Sequence, residues 1–337
     1  MRLKKLILCL ALWLCGVAAT AQDVLFSQQY ASRLYYNPAF AGIGHDWSVS
    51  LHHRTQWPAL NGAFVTNQLS TDLLLPNTNS AISLVVQQDK SGIGGLQKLH
   101  ASAGYAHHIR LTKNYSLSAG LQGTIGSLSV NYSNLVFGDQ LTDNGQVALT
   151  SAEANTFEPT KYLSFTTGLL LYSEELLLGL AASHLNRPTY GFGEKTRLPI
   201  RFTANAVYKF YVNGYRSSNG EAEFSVSPVA TFIHQENFTR LDLGLYTNYT
   251  PLSLGLIYKG VPVTGGANHE QALAVIAGLQ LNQLKIGFSH DVGITDFTRQ
   301  NGGATEISLV FERLTTNNVL RGRSGSKISK RIVCPAF

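Results

Sequence analysis

The stretch from Gln271 to Val292 constrains what this chain can fold into more than any other. Leu273, Val275, Ala277, Leu279 and Leu281 alternate with Ala274, Ile276, Gly278 and Gln280. Past the polar pair Asn282 and Gln283, Leu284, Ile286 and Phe288 alternate with Lys285, Gly287 and Ser289. A period of two marks β-strands, and the tight polar turn makes them an antiparallel pair. Each run is about as long as the ~9–11 residues that a tilted strand needs to cross a bilayer. A chain made of such hairpins closes into a membrane barrel.

The pattern recurs. Strands are expected near 46–56, 63–74, 80–89, 98–111, 114–126, 161–173, 175–186, 198–211, 221–234, 238–250, 251–260, 271–282, 283–294 and 304–313. That is about fourteen, an even number as bacterial single-chain barrels have. Composition agrees: charged residues make up 14% of the chain against 44% hydrophobic, low in charge for a soluble protein. After residue 21 no apolar run approaches the ~18 residues of a membrane helix. A closed barrel is the remaining way to satisfy every backbone group in lipid.

Compartment follows from the first residues. Arg2, Lys4 and Lys5 precede the apolar run Leu6 to Ala19, which stops at Ala19, Thr20 and Ala21. This reads as a secretory signal peptide over 1–21, and the expected destination is the cell outer membrane. Beyond it Cys334 is the only cysteine, so no intrachain disulfide is available in an oxidising compartment. The expected organisation is a periplasmic lead-in over 22–45, a barrel over 46–313 and a basic periplasmic tail over 314–337. Positive charge gathers at the two ends of the chain, which gives no reason to propose nucleic acid as a partner. The expected contact of the barrel wall is outer-membrane lipid.

Connection lengths set the orientation. Turns such as Lys113-Asn114, Glu174-Glu175, Thr250-Pro251 and Asn282-Gln283 are short, whereas Ser127 to Thr160, Asn186 to Arg197, Gly260 to Glu270 and Ile294 to Gly303 are long. Outer-membrane barrels have short periplasmic turns and long external loops, which would put both termini in the periplasm. The stretch Asn213 to Gly220 is longer than this scheme wants. Faces separate equally well. Leu117, Ala119, Leu121 and Ile125 oppose Ser116, Ser118, Gln122 and Thr124; Phe202, Ala204 and Ala206 oppose Arg201, Thr203 and Asn205; Leu241, Leu243 and Leu245 oppose Arg240, Asp242 and Tyr246. Arg201 or Arg240 facing lipid at mid-depth would cost roughly 2–4 kcal/mol each, so the polar sets are expected in the lumen. Tyr115, Tyr172, Tyr208 and Tyr249 sit by short turns, where amphipathic rings suit the membrane boundary.

Chemistry-bearing motifs are scarce. Neighbours in a strand point to opposite faces, so His52-His53 and His107-His108 cannot each chelate one metal ion. The sequence has no zinc-protease helix motif, phosphate-binding loop or nucleophile elbow. Neither an enzyme nor a cofactor is expected. The tail carries Arg321, Arg323, Lys327, Lys330 and Arg331 with no acid, then ends in apolar Ile332, Val333 and Phe337. A docking segment and a solvated linker both fit that composition.

Three stretches resemble a known family. FSQQYASRLYYNPAFAG (Phe26 to Gly42) holds Asn37, Pro38, Ala39 and Gly42; Arg54, Gln56 and Trp57 follow; and the chain ends in Cys334, Pro335, Ala336 and Phe337. They resemble the PorP/SprF family of Bacteroidota outer-membrane proteins. The resemblance implies a component of the type IX secretion system that assists export or surface attachment of large sorting-domain proteins, in some species gliding adhesins. It also implies other secretion components in the periplasm as partners. From the residues alone, a passive or selective porin for small solutes stays open beside it.

Overall fold

The alternating runs form one closed antiparallel sheet. The computed structural model describes residues 23–92, 94–131, 135–141, 151, 158–191, 196–212, 224–262 and 271–314. The stretch 1–21, expected to be a signal peptide, lies outside the described residues, as does the tail beyond Leu314 with all its basic and apolar positions. The strands are β1 (His45–Gln56), β2 (Phe64–Leu74), β3 (Ser80–Ser91), β4 (Leu96–Arg110), β5 (Ser116–Val130), β6 (Thr160–Tyr172), β7 (Leu176–Ser183), β8 (Arg201–Tyr208), β9 (Phe210–Tyr211), β10 (Phe224–Gln235), β11 (Phe238–Tyr249), β12 (Leu252–Val261), β13 (Ala272–Leu281), β14 (Leu284–Gly293) and β15 (Ala304–Leu314).

Each strand pairs with its neighbours in sequence, and β15 returns to β1, with Leu51 opposite Leu309 and His53 opposite Ile307. β8 and β9 both pair with the same edge of β10, so they are one stave interrupted at Lys209. The described residues therefore make a barrel of fourteen staves, the expected number. Closure removes every sheet edge, which is what lets strands cross a membrane.

The faces divide as the alternation requires. Leu121 and Ile125 are 64% and 65% exposed on the outer wall, while Ser118 between their rows is fully buried. Val275 and Phe288 of the opening hairpin face out, and Ala274, Ile276, Lys285 and Ser289 face in. Arg201, Arg240 and Asp242 are buried in the lumen. Tyr115, Tyr208 and Tyr249 lie exposed near short turns, but Tyr172 does not join them. It falls on an inward row of β6 and is bonded to His108 Nδ1 at 3.1 Å. Two connections at the long-connection end depart from the alternation of lengths: β3 and β4 are joined by residues 92–95, and β10 and β11 by only Glu236 and Asn237. Glu236 takes φ +54° to close that two-residue hairpin.

The largest correction concerns residues 22–45. Read as a periplasmic lead-in, the described part of this segment instead threads the barrel. Asp23 meets Lys98, Arg201 and Gln235 near the long-connection ends of β4, β8 and β10. Gly42 meets Asp72 and Ala81 near the short-turn ends of β2 and β3. Residues 23–44 thus descend the lumen as a strap before β1 starts at the short-turn end, so the described segment starts at the end of the barrel opposite to the one expected. The physical reason is that the lumen's charges find partners on the strap, a pairing that no local period can display.

Candidate functional site

The candidate site is the filled lumen, held at three levels. At the long-connection end the Asp23 carboxylate accepts from Lys98 Nζ at 2.9 Å, from His184 Nε2 at 2.9 Å and from Arg201 Nη1 at 3.3 Å. Arg201 also donates to the Tyr35 hydroxyl at 2.8 Å and lies over the Tyr35 ring at 4.5 Å. Tyr190 and Leu198, from the connection between β7 and β8, pack with Leu128 and Tyr162 beside this cluster, and Lys98 lies 5.4 Å from the Tyr190 ring centre. The connection thereby folds inward over the mouth.

Below it, Glu306 binds the strap backbone. Its two carboxylate oxygens accept from the Ser27 and Gln28 amides at 2.8 and 2.9 Å. Arg54 Nη1 donates to the same carboxylate and to Asp291. Asp291 accepts from Ser27 Oγ and Lys259 Nζ, each at 2.6 Å. His52 Nε2 donates to Glu306 at 3.0 Å, which leaves Nδ1 to accept from Ser32 Oγ at 2.6 Å. Six donor groups from five strap or wall residues thus converge on two acids. A buried carboxylate is tolerated only when paired and hydrogen-bonded in this way.

At the short-turn end, Asp72 accepts from His45 Nε2 at 2.5 Å, Ser48 Oγ at 2.9 Å, Arg33 Nη2 at 3.4 Å and the Gly42 amide at 2.6 Å. Gly42 has φ +74°, and a Cβ there would stand 2.6 Å from the Ala81 Cβ. Only glycine serves both demands.

The motif that carried the family resemblance is explained by its contacts. Asn37 caps a 3-10 turn, Pro38–Phe40, by accepting from the Ala39 amide at 2.9 Å. Its Nδ2 donates to the wall carbonyls of Leu169 and Leu180 at 3.1 and 3.2 Å. So close an approach needs a bare wall: a Cβ on Gly168 would lie 1.9 Å from Asn37 Oδ1, and one on Gly120 would lie 2.4 Å from the Ala39 nitrogen. Arg54 and Gln56 point inward and bond each other at 3.1 Å. Trp57 follows at the rim with φ +53°, its amide fixed to the Gly303 carbonyl at 2.7 Å and its ring edge-on to Phe64.

The structure therefore brings Asn37, Pro38, Ala39, Gly42, Arg54 and Gln56 into the lumen assembly and places Trp57 above it. Cys334, Pro335, Phe337, Arg321, Arg323, Lys327, Lys330, Arg331, Ile332 and Val333 lie outside the described residues. Sequence reasoning missed Asp23, Arg33, Asp72, Lys259, Asp291 and Glu306. The available signal was an ionisable residue on an inward row of an otherwise small and polar face, as with Arg201 and Arg240. Of the paired histidines, His52 and His108 are buried inside, while His53 is exposed outside and bonded to Asn67. Among the described residues no three His, Cys, Asp or Glu side chains are placed to hold a metal ion.

A sequence profile of the family described as type IX secretion system membrane protein PorP/SprF matches residues 18–311. No curated protein matches the chain in sequence. Among solved structures, it is similar to the Acinetobacter baumannii outer membrane protein Omp33 at 8% identity and a TM-score of 0.46, covering 80% of this chain and 99% of that one. A mutant of the TodX monoaromatic hydrocarbon channel follows at 12% identity and a TM-score of 0.45, covering 84% and 94%. The KdgM porin stands at 8% and 0.36, covering 79% and 98%.

Proposed function

Because the chain belongs to the PorP/SprF family of type IX secretion system membrane proteins, we propose that it assists export or surface attachment of large sorting-domain proteins, gliding adhesins among them, by binding protein and without catalysing a reaction. The observation that supports this over a small-solute porin is the strap. A porin needs an open polar lumen, whereas here residues 23–44 run from one end of the lumen to the other and are bonded to the wall at three levels. Deleting the gene is expected to remove one or a few large sorting-domain proteins from the cell surface and leave small-solute uptake intact. The reverse pattern would favour the porin.

The segment beyond Thr316 is the part we assign to periplasmic secretion components. Its positive charges can steer association with an acidic surface but hold little once screened by salt. Burial of Ile332, Val333 and Phe337, at roughly 1.5–3 kcal/mol for each side chain fully covered, would supply the hold. A truncation after Thr316 should insert as a heat-modifiable barrel and lose both export and partner co-purification. Normal export by that truncation would overturn this assignment.

A further inference from the structure

The seat of Asp23 at the long-connection end has a second acid beside it. Asp89 of β3 stands directly opposite Lys98 of β4 in the sheet register, and opposed residues on one face have Cβ atoms about 4.5–5.5 Å apart. Lys98 nevertheless reaches across to the strap, its Nζ 2.9 Å from Asp23 Oδ1. Among the described residues no cation pairs with Asp89. Its Oδ2 accepts from Gln87 Nε2 at 2.9 Å, and Gln87 accepts from Gln68 Nε2 at 2.9 Å. That chain fixes the direction of the carboxylate, and its Oδ1 is buried without a hydrogen-bond partner. The other groups on Asp23 keep bonds elsewhere: Arg201 with Tyr35 and Ser183, and His184 Nδ1 with Ser164 Oγ at 2.8 Å. Among the described residues, Lys98 has only Asp23 as a hydrogen-bond partner.

We propose that Lys98 is a two-position latch: it binds Asp23 while the strap is seated and turns to Asp89 when the first residues of the strap lift. A cation left buried without a counter-charge is costly, and the flexible stem of lysine lets one ammonium serve either of two neighbouring carboxylates. Asp89 thereby gives the lifted state an ion pair that replaces the one it breaks. The lift is confined to residues 23–26. From Ser27 onward Glu306 holds the strap backbone, and Leu34, Ala39 and Phe40 are buried in the largest apolar cluster. Phe26 marks the boundary, its amide donated to the Tyr36 hydroxyl at 2.7 Å. The strap is then a plug with a fixed body and a releasable end, and Asp89 sets how often that end opens. This goes beyond the protein-binding reading and does not depend on any cargo.

The test is hydrogen exchange on the full chain in detergent micelles, read at the amides of Val24 to Phe26 against those of Ala39 to Ala41 as an internal reference. Exchange through local opening reports the population of the open form. Asp89→Asn keeps an acceptor for the Gln87 amide but removes the second seat of Lys98 and the repulsion between Asp89 and Asp23. It should slow exchange at 24–26 at least threefold and leave the reference unchanged. An Asp89 that served only to hold Gln87 would give the opposite sign or no change. Lys98→Met should speed exchange at 24–26, and in that background Asp89→Asn should alter it less than twofold. Heat-modifiability shows that each variant is folded, with Asp89→Ser and Lys98→Gln standing in for either that is not. Unchanged or faster exchange in Asp89→Asn, or the same slowing in the absence of Lys98, would overturn the latch.

Discussion

Asn37 and Asn248 are both buried in the lumen, yet one makes three hydrogen bonds through its side chain and the other makes none. The difference separates two sides of the barrel. On the β3 to β7 side the strap lies directly on the wall, its close approach made possible by Gly120 and Gly168, and its apolar residues join the largest buried cluster. On the β8 to β12 side the strap is bonded to the wall through Asp23 to Arg201, Gln29 to Thr231 and Ser27 to Lys259, but a cavity remains between these contacts and the short-turn end. A polar lumen is therefore not one environment. Asn37 is fully paired where the strap lies on the wall, whereas Asn248 and Ser227 on the other side have no hydrogen-bond partner.

This contrast can be broken by substitution, most forcefully at the central ion network. Arg54→Ala leaves Glu306 and Asp291 without their shared cation in a buried setting, and a pair broken in that way costs roughly 3–5 kcal/mol. Urea unfolding of the refolded barrel should show the loss. A variant as stable as the parent would mean that the strap is not anchored through Glu306.

Asn37→Ala is expected to cost about 2 kcal/mol, since net contributions of roughly 0.5–1.5 kcal/mol per hydrogen bond are lost together with a cap. Gly168→Ala should act in the same direction, because Asn37 Oδ1 would have to move away from the new Cβ. The smallest effect belongs to the other side. Asn248→Leu removes two unpaired polar atoms and should leave stability within about 1 kcal/mol of the parent, on the stabilising side if it changes at all. Equal losses at Asn37 and Asn248 in the same unfolding assay would erase the distinction between the two sides.

The wall was legible from the sequence and the strap was not, for a definite reason. Leu121 alternating with Ser118 and Gln122, or Phe202 with Arg201 and Thr203, is a local pattern that the two-residue period of a strand imposes, so face and strand order follow directly. Strand ends shifted where turns are irregular: the expected 198–211 breaks at Lys209, and 175–186 stops at Ser183. The strap has no period, and its partners are single residues far along the chain. Asp23 and Arg201 are 178 positions apart, and the room for Asn37 comes from glycines on separate strands. The motif around Asn37 was visible as a resemblance, but its reason exists only once β5 and β6 stand side by side.

The central claim, that residues 23–44 occupy the lumen, is tested most directly by conductance. The purified full chain in planar lipid bilayers should show no steady open-pore current, and a variant lacking residues 23–44, shown to be folded by heat-modifiability, should conduct. Steady conductance of the full chain at the level of the strapless variant would contradict the account.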